Sequence, residues 1–140
     1  MNISFHFLKP ISLSNRQQLK RFIEKLSKKE KKKINSLTIV FCADDYLLQI
    51  NRSFLSHNYY TDIITFDLSD KDSQLIDAEI YISVDRVREN AELHQTNLKQ
   101  EIHRVVFHGV LHLCGYKDKS ASQKKTMRSK EDQYLALYFK

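Results

Sequence analysis

A single helix close to the carboxyl end of the chain places the strongest constraint on its fold. Starting at Leu98, apolar residues recur at helical spacing and fall within one stripe about 100° wide. The stripe consists of Leu98, Ile102, Val105, Val106, Gly109 and Leu113. Because such a face must be buried against other elements, the pattern predicts a core helix over about 97–114. Gly115 follows the last apolar residue, where a residue in the left-handed conformation commonly ends a helix.

The rest of the chain predicts a mixture of strands and further helices. Four segments rich in apolar residues predict strands at about 3–7, 36–42, 62–68 and 78–84. Helical spacing predicts helices after a capping box at Ser14 and Gln17, after N-caps at Asp44 and Asp85, and at about 122–139. This order, with three consecutive helices at the end, indicates one α+β domain over residues 1–140. We expect a mixed sheet of about four strands with about five helices.

Two histidines lie beside the buried stripe of the long helix. His108 and His112 are four residues apart, so their Cβ atoms should be about 5–6 Å apart and both imidazoles can bind one metal ion. A catalytic zinc site takes three protein ligands, and Asp118 is the nearest residue able to supply the third. Gly109 would allow a neighbouring strand or helix to approach closely. Histidines at this spacing also occur without a metal, and Asp118 could equally belong to an ordinary turn.

The residue after the first histidine bears on the type of chemistry. Zinc proteases with the H-E-x-x-H motif use its glutamate as the general base, and this chain has Gly109 at that position. The sequence therefore favours metal-assisted hydrolysis of a phosphodiester over peptide hydrolysis. A small metalloprotease is the rival interpretation, and Gly109 argues against it.

The charge and the cysteines indicate a compartment and a class of partner. The net charge of +6 and the pI of about 9.3 fit an anionic partner such as nucleic acid. Cys42 and Cys114 are too few to define a disulfide framework. The sequence has no secretory signal pattern and no apolar run of the ~18 residues that span a bilayer. We therefore expect a cytoplasmic protein with reduced thiols and no membrane partner.

Residues 108–118, HGVLHLCGYKD, resemble the characteristic motif of the YbeY endoribonucleases. Three further blocks resemble that family in the same order: INRSFLSHNYYTDIITFD, DAEIYISVDRVRENA and MRSKEDQYLALY. The resemblance implies a zinc-dependent, single-strand-specific endoribonuclease with one Zn²⁺ per chain, acting in late 16S rRNA 3′-end maturation and ribosome quality control. Its implied partners are the 16S rRNA precursor and the small ribosomal subunit, not DNA.

The resemblance also implies a set of metal ligands. His108 and His112 carry over by position, and Asp118 stands where the family usually has a third histidine. Aspartate is an acceptable zinc ligand. Its charge leaves less positive charge on the metal centre, so a bound water should be less acidified.

A second departure concerns phosphate stabilisation. The family usually has an arginine after an aromatic residue in the central block, and this chain has Leu55 after Phe54. His57 is a candidate catalytic group that could supply a positive or proton-transferring group instead. The alternative is an ordinary loop histidine.

Basic side chains follow the metal motif directly. We expect RNA contacts from Lys117, Lys119, Lys124, Lys125 and Arg128, because cations beside the site can hold the RNA backbone. The missing arginine keeps a second function open, that of a non-catalytic zinc-containing ribosome-assembly or RNA-binding factor.

Overall fold

The computed structural model describes residues 2–140, and its elements follow the order expected from the apolar spacing. The strands are β1 (Asn2–Phe7), β2 (Lys33–Cys42), β3 (Ile63–Asp67) and β4 (Leu75–Ser83). The helices are α1 (Arg16–Lys29), α2 (Asp44–Leu55), α3 (Val84–Leu93), α4 (Leu98–Leu113) and α5 (Ala121–Tyr138). β2 starts three residues earlier than the predicted strand, at Lys33 instead of residue 36.

The four strands form one mixed sheet in the order β1-β2-β4-β3. β1, β2 and β4 are parallel, while β3 is antiparallel to β4 and lies at the edge. Ile63 pairs with Ile82, so β3 begins where β4 ends. The sheet and the five helices confirm the predicted α+β class.

Helix α4 runs through the main core and is buried over most of its circumference. Ile102, Val106, Phe107, Val110 and Leu111 are each at most 1% exposed, so the buried surface is wider than the predicted stripe. They pack in one cluster with side chains of α1, α3, α5 and the sheet. A helix enclosed in this way is held firmly, which gives His108 and His112 a rigid support.

A smaller core covers the opposite face of the sheet. Leu47 and Ile50 of α2 pack there with Cys42 of β2 and Ile64 of β3. Side chains alternate between the two faces of a strand, so neighbouring residues of β3 serve both cores. Ile64 therefore joins α2, while Ile63 packs against the main cluster.

The start of α1 differs from the prediction. The helix begins at Arg16 with Asn15 at its N-cap, so the capping box predicted at Ser14 is wrong. The Asn15 side-chain amide instead lies 3.0 Å from His103 Nε2 and donates to Tyr138 Oη. Tertiary contacts with α4 and α5 thus replace the local cap.

The two aspartates predicted as N-caps are also used differently. Ala43 precedes α2, and the Asp44 carboxylate accepts hydrogen bonds from Ser83 Oγ and Arg86 Nε, each at 3.1 Å. Ser83 caps α3 by accepting from Arg86 N–H. Asp85 accepts from the Asp44 backbone N–H at 2.8 Å. Both carboxylates therefore connect elements instead of capping the helices predicted for them.

Within residues 2–140, no helix is both long enough and apolar enough to cross a membrane.

Candidate metal centre

Three side chains from the end of α4 and the loop after it converge on one point. His108 Nε2 and His112 Nε2 lie 3.0 Å apart, and Asp118 Oδ2 lies 3.2 Å from the first and 3.3 Å from the second. Ligand bonds of about 2.0–2.1 Å to a tetrahedral ion require ligand atoms roughly 3.3–3.4 Å apart. The observed triangle is close to that size, so the three residues could hold one metal ion.

The chain turns sharply after α4 and so brings Asp118 back to the histidines. Gly115 has a φ of +108°, which glycine adopts readily and other residues rarely do. Its N–H donates to His112 O at 3.0 Å, and Tyr116 N–H donates to Leu111 O at 3.1 Å. These two bonds form a Schellman motif, which confirms the helix end predicted at Gly115.

Hydrogen bonds to the far side of each imidazole fix its orientation. His108 Nδ1 lies 2.6 Å from Glu131 Oε2, and His112 Nδ1 lies 2.9 Å from Tyr116 O. A carboxylate and a carbonyl only accept, so each Nδ1 carries the proton and donates it. Both Nε2 lone pairs are therefore free to face the Asp118 carboxylate and a metal ion.

Glu131 of α5 is itself buried and paired with a cation. Its other oxygen accepts from Arg104 Nη1 at 2.9 Å, and Arg104 also reaches Asp132 at 2.7 Å. Burial lowers the pKa of the His108 imidazole, but the hydrogen bond to Glu131 and the charges of Glu131 and Asp118 outweigh it. The pKa of His108 therefore lies above its ordinary value, as expected for an imidazole held by a carboxylate.

The loop that carries Asp118 is attached to the carboxyl end of α1. Tyr116 Oη donates to Glu30 Oε1 at 2.7 Å, and Tyr134 Oη donates to the other oxygen of Glu30. Burial raises the pKa of the Glu30 carboxyl. The hydrogen bonds and Lys130 lower it by more, so the pKa of Glu30 lies below its ordinary value. Tyr116 thus orients His112 through its carbonyl and is anchored to Glu30 through its side chain.

Gly109 allows the sheet to approach α4 next to the first ligand. A Cβ atom there would lie 2.9 Å from Ile63 Cδ1 and 3.0 Å from Ile80 Cδ1, both closer than normal contact. This confirms the close approach predicted for Gly109. It also brings the start of β3, and Asp62 before it, beside the metal centre.

A cavity of about 260 Å³ adjoins the metal centre. His108 and Asp118 line it on one side, and Asp62 and Glu101 line it as well. Burial raises the pKa of the Asp62 carboxyl, and the nearby charge of His108 opposes that shift only in part. The cavity therefore offers carboxylates in a partly desolvated setting beside the candidate metal site.

The chain is similar to a known protein family over nearly its whole length. The family model described as endoribonuclease YbeY matches residues 7–138. The chain belongs to the YbeY family. The family predicted from HGVLHLCGYKD and the three further blocks is therefore confirmed.

Individual YbeY relatives match along most of the chain. The endoribonuclease YbeY of Cytophaga hutchinsonii is 50% identical over 125 residues, which is 89% of this chain and 87% of that protein. The endoribonuclease YbeY of Christiangramia forsetii is 40% identical over 136 residues, covering 97% and 94% of the two chains. The solution structure of TM1509 from Thermotoga maritima has a TM-score of 0.69 at 26% identity, covering 99% of this chain and 89% of that one.

The basic residues predicted to bind RNA occupy different positions around the YbeY motif. Lys124 and Arg128 of α5 line the cavity together with His108 and Asp118. Lys117, Lys119 and Lys125 are exposed, and none of them lines that cavity among the residues described.

His57 lies in the loop between α2 and β3. Its ring stacks on Tyr59 with centroids 5.1 Å apart, and its Nδ1 lies 3.0 Å from Tyr59 Oη. It is exposed and is not among the described residues that line the cavity beside the metal centre. Leu55, where the resemblance implies an arginine, is 39% exposed.

Sequence reasoning missed the residues that support the ligands from other elements. No sequence pattern assigns a role to Glu131 or Arg104, although the MRSKEDQYLALY block contains Glu131. The available signal was a glutamate on the face of α5 that also carries the buried Met127, Tyr134 and Tyr138. A charged residue in a buried stripe commonly has a specific partner.

Proposed function

We propose that the protein is a zinc-dependent endoribonuclease that cuts single-stranded RNA in the cytoplasm, acting in late 16S rRNA 3′-end maturation and ribosome quality control. Its partners would be the 16S rRNA precursor and the small ribosomal subunit. Family membership supports hydrolysis of RNA, since the relatives carry the name endoribonuclease. The observation that carries the proposal is the triangle of His108, His112 and Asp118 with both Nδ1 protons held elsewhere.

The donor set fits zinc better than magnesium or calcium. Two imidazole nitrogens and one carboxylate oxygen are ligands that zinc accepts, whereas magnesium and calcium prefer oxygen ligands. A zinc ion held by these residues would polarise a phosphodiester oxygen and lower the pKa of its bound water towards about 7.

The surrounding residues have separate tasks in this proposal. Glu131 and the Tyr116 carbonyl accept the Nδ1 protons, so each neutral imidazole has its lone pair on Nε2, the nitrogen that would bind the metal. Lys124 and Arg128 line the cavity and would hold the RNA phosphates. Lys117, Lys119 and Lys125 would bind the backbone further from the centre.

The test of this function is a joint measurement of metal content and RNA cleavage. In His112→Ala, zinc content and cleavage of single-stranded RNA should fall together, because one of three ligands is lost. His6→Ala is the matched control, since His6 is exposed on β1 and contributes to neither the metal centre nor the cavity. Full cleavage by a metal-free variant would refute the proposal.

Leu55 favours one alternative function. An exposed leucine stands where the family usually has an arginine, so transition-state stabilisation from that position is lost. The protein could then be a non-catalytic, zinc-containing assembly factor that binds RNA without turnover. Metal-dependent turnover by the purified protein would exclude this alternative.

Two residues could take over from the missing arginine. Arg128 is exposed and lines the same cavity as His108 and Asp118, so its guanidinium could contact the scissile phosphate. His57 remains a proposed catalytic group, although it lies outside that cavity. Cleavage should fall in Arg128→Ala, and unchanged cleavage in His57→Ala would remove His57 from the mechanism.

A further inference from the structure

The cavity beside the candidate metal centre is lined by a carboxylate, that of Glu101, which accepts no hydrogen bond from a described side chain. Glu101 has a side chain only 5% exposed, and its nearest ion-pair partner, His94 Nδ1, lies 3.9 Å away. No side chain within residues 2–140 donates a hydrogen bond to it, and burial raises the pKa of its carboxyl. No fully buried side-chain oxygen or nitrogen of residues 2–140 lacks a hydrogen-bond partner, so the Glu101 oxygens reach the cavity and can accept a hydrogen bond from a ligand there.

Glu101 lies at some distance along α4 from the candidate metal centre. Glu101 lies seven residues before His108 on the same helix, a rise of about 10 Å. A general acid or base must come within hydrogen-bond reach of the reacting group, or act through one water. Glu101 is therefore placed to bind a neighbouring part of the substrate.

The other walls of the cavity combine apolar and polar side chains. Val105 and Met127 are buried and give it an apolar surface. Asp62 and Asn90 add polar groups, with Asn90 Nδ2 3.5 Å from Asp62 Oδ2. Arg128 adds a cation on the α5 side. We name this cavity the Glu101 pocket. Its lining includes Asp62, Asn90, Glu101, Val105, Met127 and Arg128, besides His108 and Asp118 of the candidate metal centre.

The Glu101 pocket has room and polar groups for one nucleobase. Its 260 Å³ lies just below the ~300 Å³ at which pockets for drug-sized ligands begin. Proteins that read single-stranded RNA contact unstacked bases through apolar faces and hydrogen bonds to the base edges. Carboxylates accept hydrogen bonds only, so they select base edges that present N–H groups.

We infer that the Glu101 pocket binds one base of the RNA next to the metal centre and selects a base rich in N–H donors, guanine before uracil. The inference rests on the proposed function and adds a base preference to it. Guanine presents N1–H and N2–H₂ side by side, whereas uracil presents one N–H between two carbonyl oxygens that a carboxylate repels. Arg128 would hold the phosphate of the same nucleotide.

The test is the binding of guanosine and uridine 5′-monophosphates to the zinc-loaded protein by calorimetry. Both nucleotides carry the same phosphate, so any contact with the metal is common and the ratio of affinities reports the base. We expect guanosine monophosphate to bind about tenfold more tightly, as one good bidentate contact would give. In Glu101→Gln the ratio should fall towards one, because the amide can also donate to uracil. Glu92→Gln, an exposed site on α3, should keep it.

Equal affinities in the wild-type protein, or no binding of either nucleotide at millimolar concentration, would overturn the inference. An unchanged ratio in a folded Glu101→Gln variant would overturn it as well. The wild-type ratio decides the preference even when that variant does not fold. Selective binding without any RNA cleavage would refute only the proposed function, whereas cleavage without a base preference in binding would refute only this inference.

Discussion

Replacing Glu131 by glutamine removes one acceptor from the network behind the metal centre. The glutamate offers one oxygen to Arg104 Nη1 at 2.9 Å and the other to His108 Nδ1 at 2.6 Å. Glutamine has a single acceptor oxygen, so its NH₂ group must face one of these two donors. The change is nearly isosteric, which confines the perturbation to charge and hydrogen bonding.

Two separate losses follow from this substitution. Breaking a buried ion pair costs about 3–5 kcal/mol, and we expect about 3 kcal/mol because Arg104 keeps Asp132. If the NH₂ group faces His108, the imidazole moves its proton to Nε2 and loses its lone pair for the metal. Support of this kind is worth about 10–100-fold in metal affinity.

The measurements are urea unfolding in the presence of a chelator, and zinc affinity by competition with a chromogenic chelator. Asp132→Asn is the control, because Asp132 also pairs with Arg104 but is exposed and is not a hydrogen-bond partner of His108. It should cost at most about 1 kcal/mol and leave zinc affinity unchanged. A Glu131→Gln protein with wild-type zinc affinity would show that Glu131 does not orient His108.

Three further predictions concern packing, the helix end and pH. Gly109→Ala gains about 1 kcal/mol of helix propensity, but the new methyl group pushes on Ile63 and Ile80. Urea unfolding should therefore show a net loss of up to about 2 kcal/mol in the free energy of unfolding. A net gain in stability would contradict the close packing. Gly115→Ala meets no atom within 4 Å, so its cost of about 1–2 kcal/mol in the same assay should come from backbone strain alone. Burial lowers the pKa of His103, so the unfolded chain binds more protons below about pH 6.5 and stability falls as pH drops from there through the folded pKa. His103→Gln should remove that part of the pH dependence, and identical profiles for the two proteins would refute it.

Apolar spacing predicted the helices and strands well, because burial directly determines which positions are apolar. The apolar stripe beginning at Leu98 must face a core in any fold of this chain. A glycine directly after such a run, here Gly115, commonly ends the helix. The predicted caps at Ser14, Asp44 and Asp85 were wrong for a common reason. A short polar side chain can satisfy a local backbone N–H or a distant partner, and only the packing of the elements decides which.

The candidate site likewise combines residues that are close in sequence with residues that only the packing of the helices brings into contact. His108 and His112 are four residues apart on one helix, so the sequence alone places them together. Glu131 lies 23 residues beyond His108, and its contact depends on how α5 crosses α4. Spacing cannot predict such a crossing, because many packing angles are compatible with the same apolar stripes.

The charges around the candidate centre bear on the ligand role proposed for Asp118. Glu131 is negative as well, but Arg104 pairs with it, so its charge is largely compensated. The ion-pair partners of Asp118 are His108 and His112, and no lysine of residues 2–140 pairs with it. Asp118 would therefore bring to the candidate ligand set a negative charge that no lysine pairs with among residues 2–140. The nearest compensation available to an RNA phosphate is the α5 side of the cavity, where Lys124 and Arg128 lie. A metal centre with this ligand charge would depend more on Lys124 and Arg128 to hold an RNA phosphate.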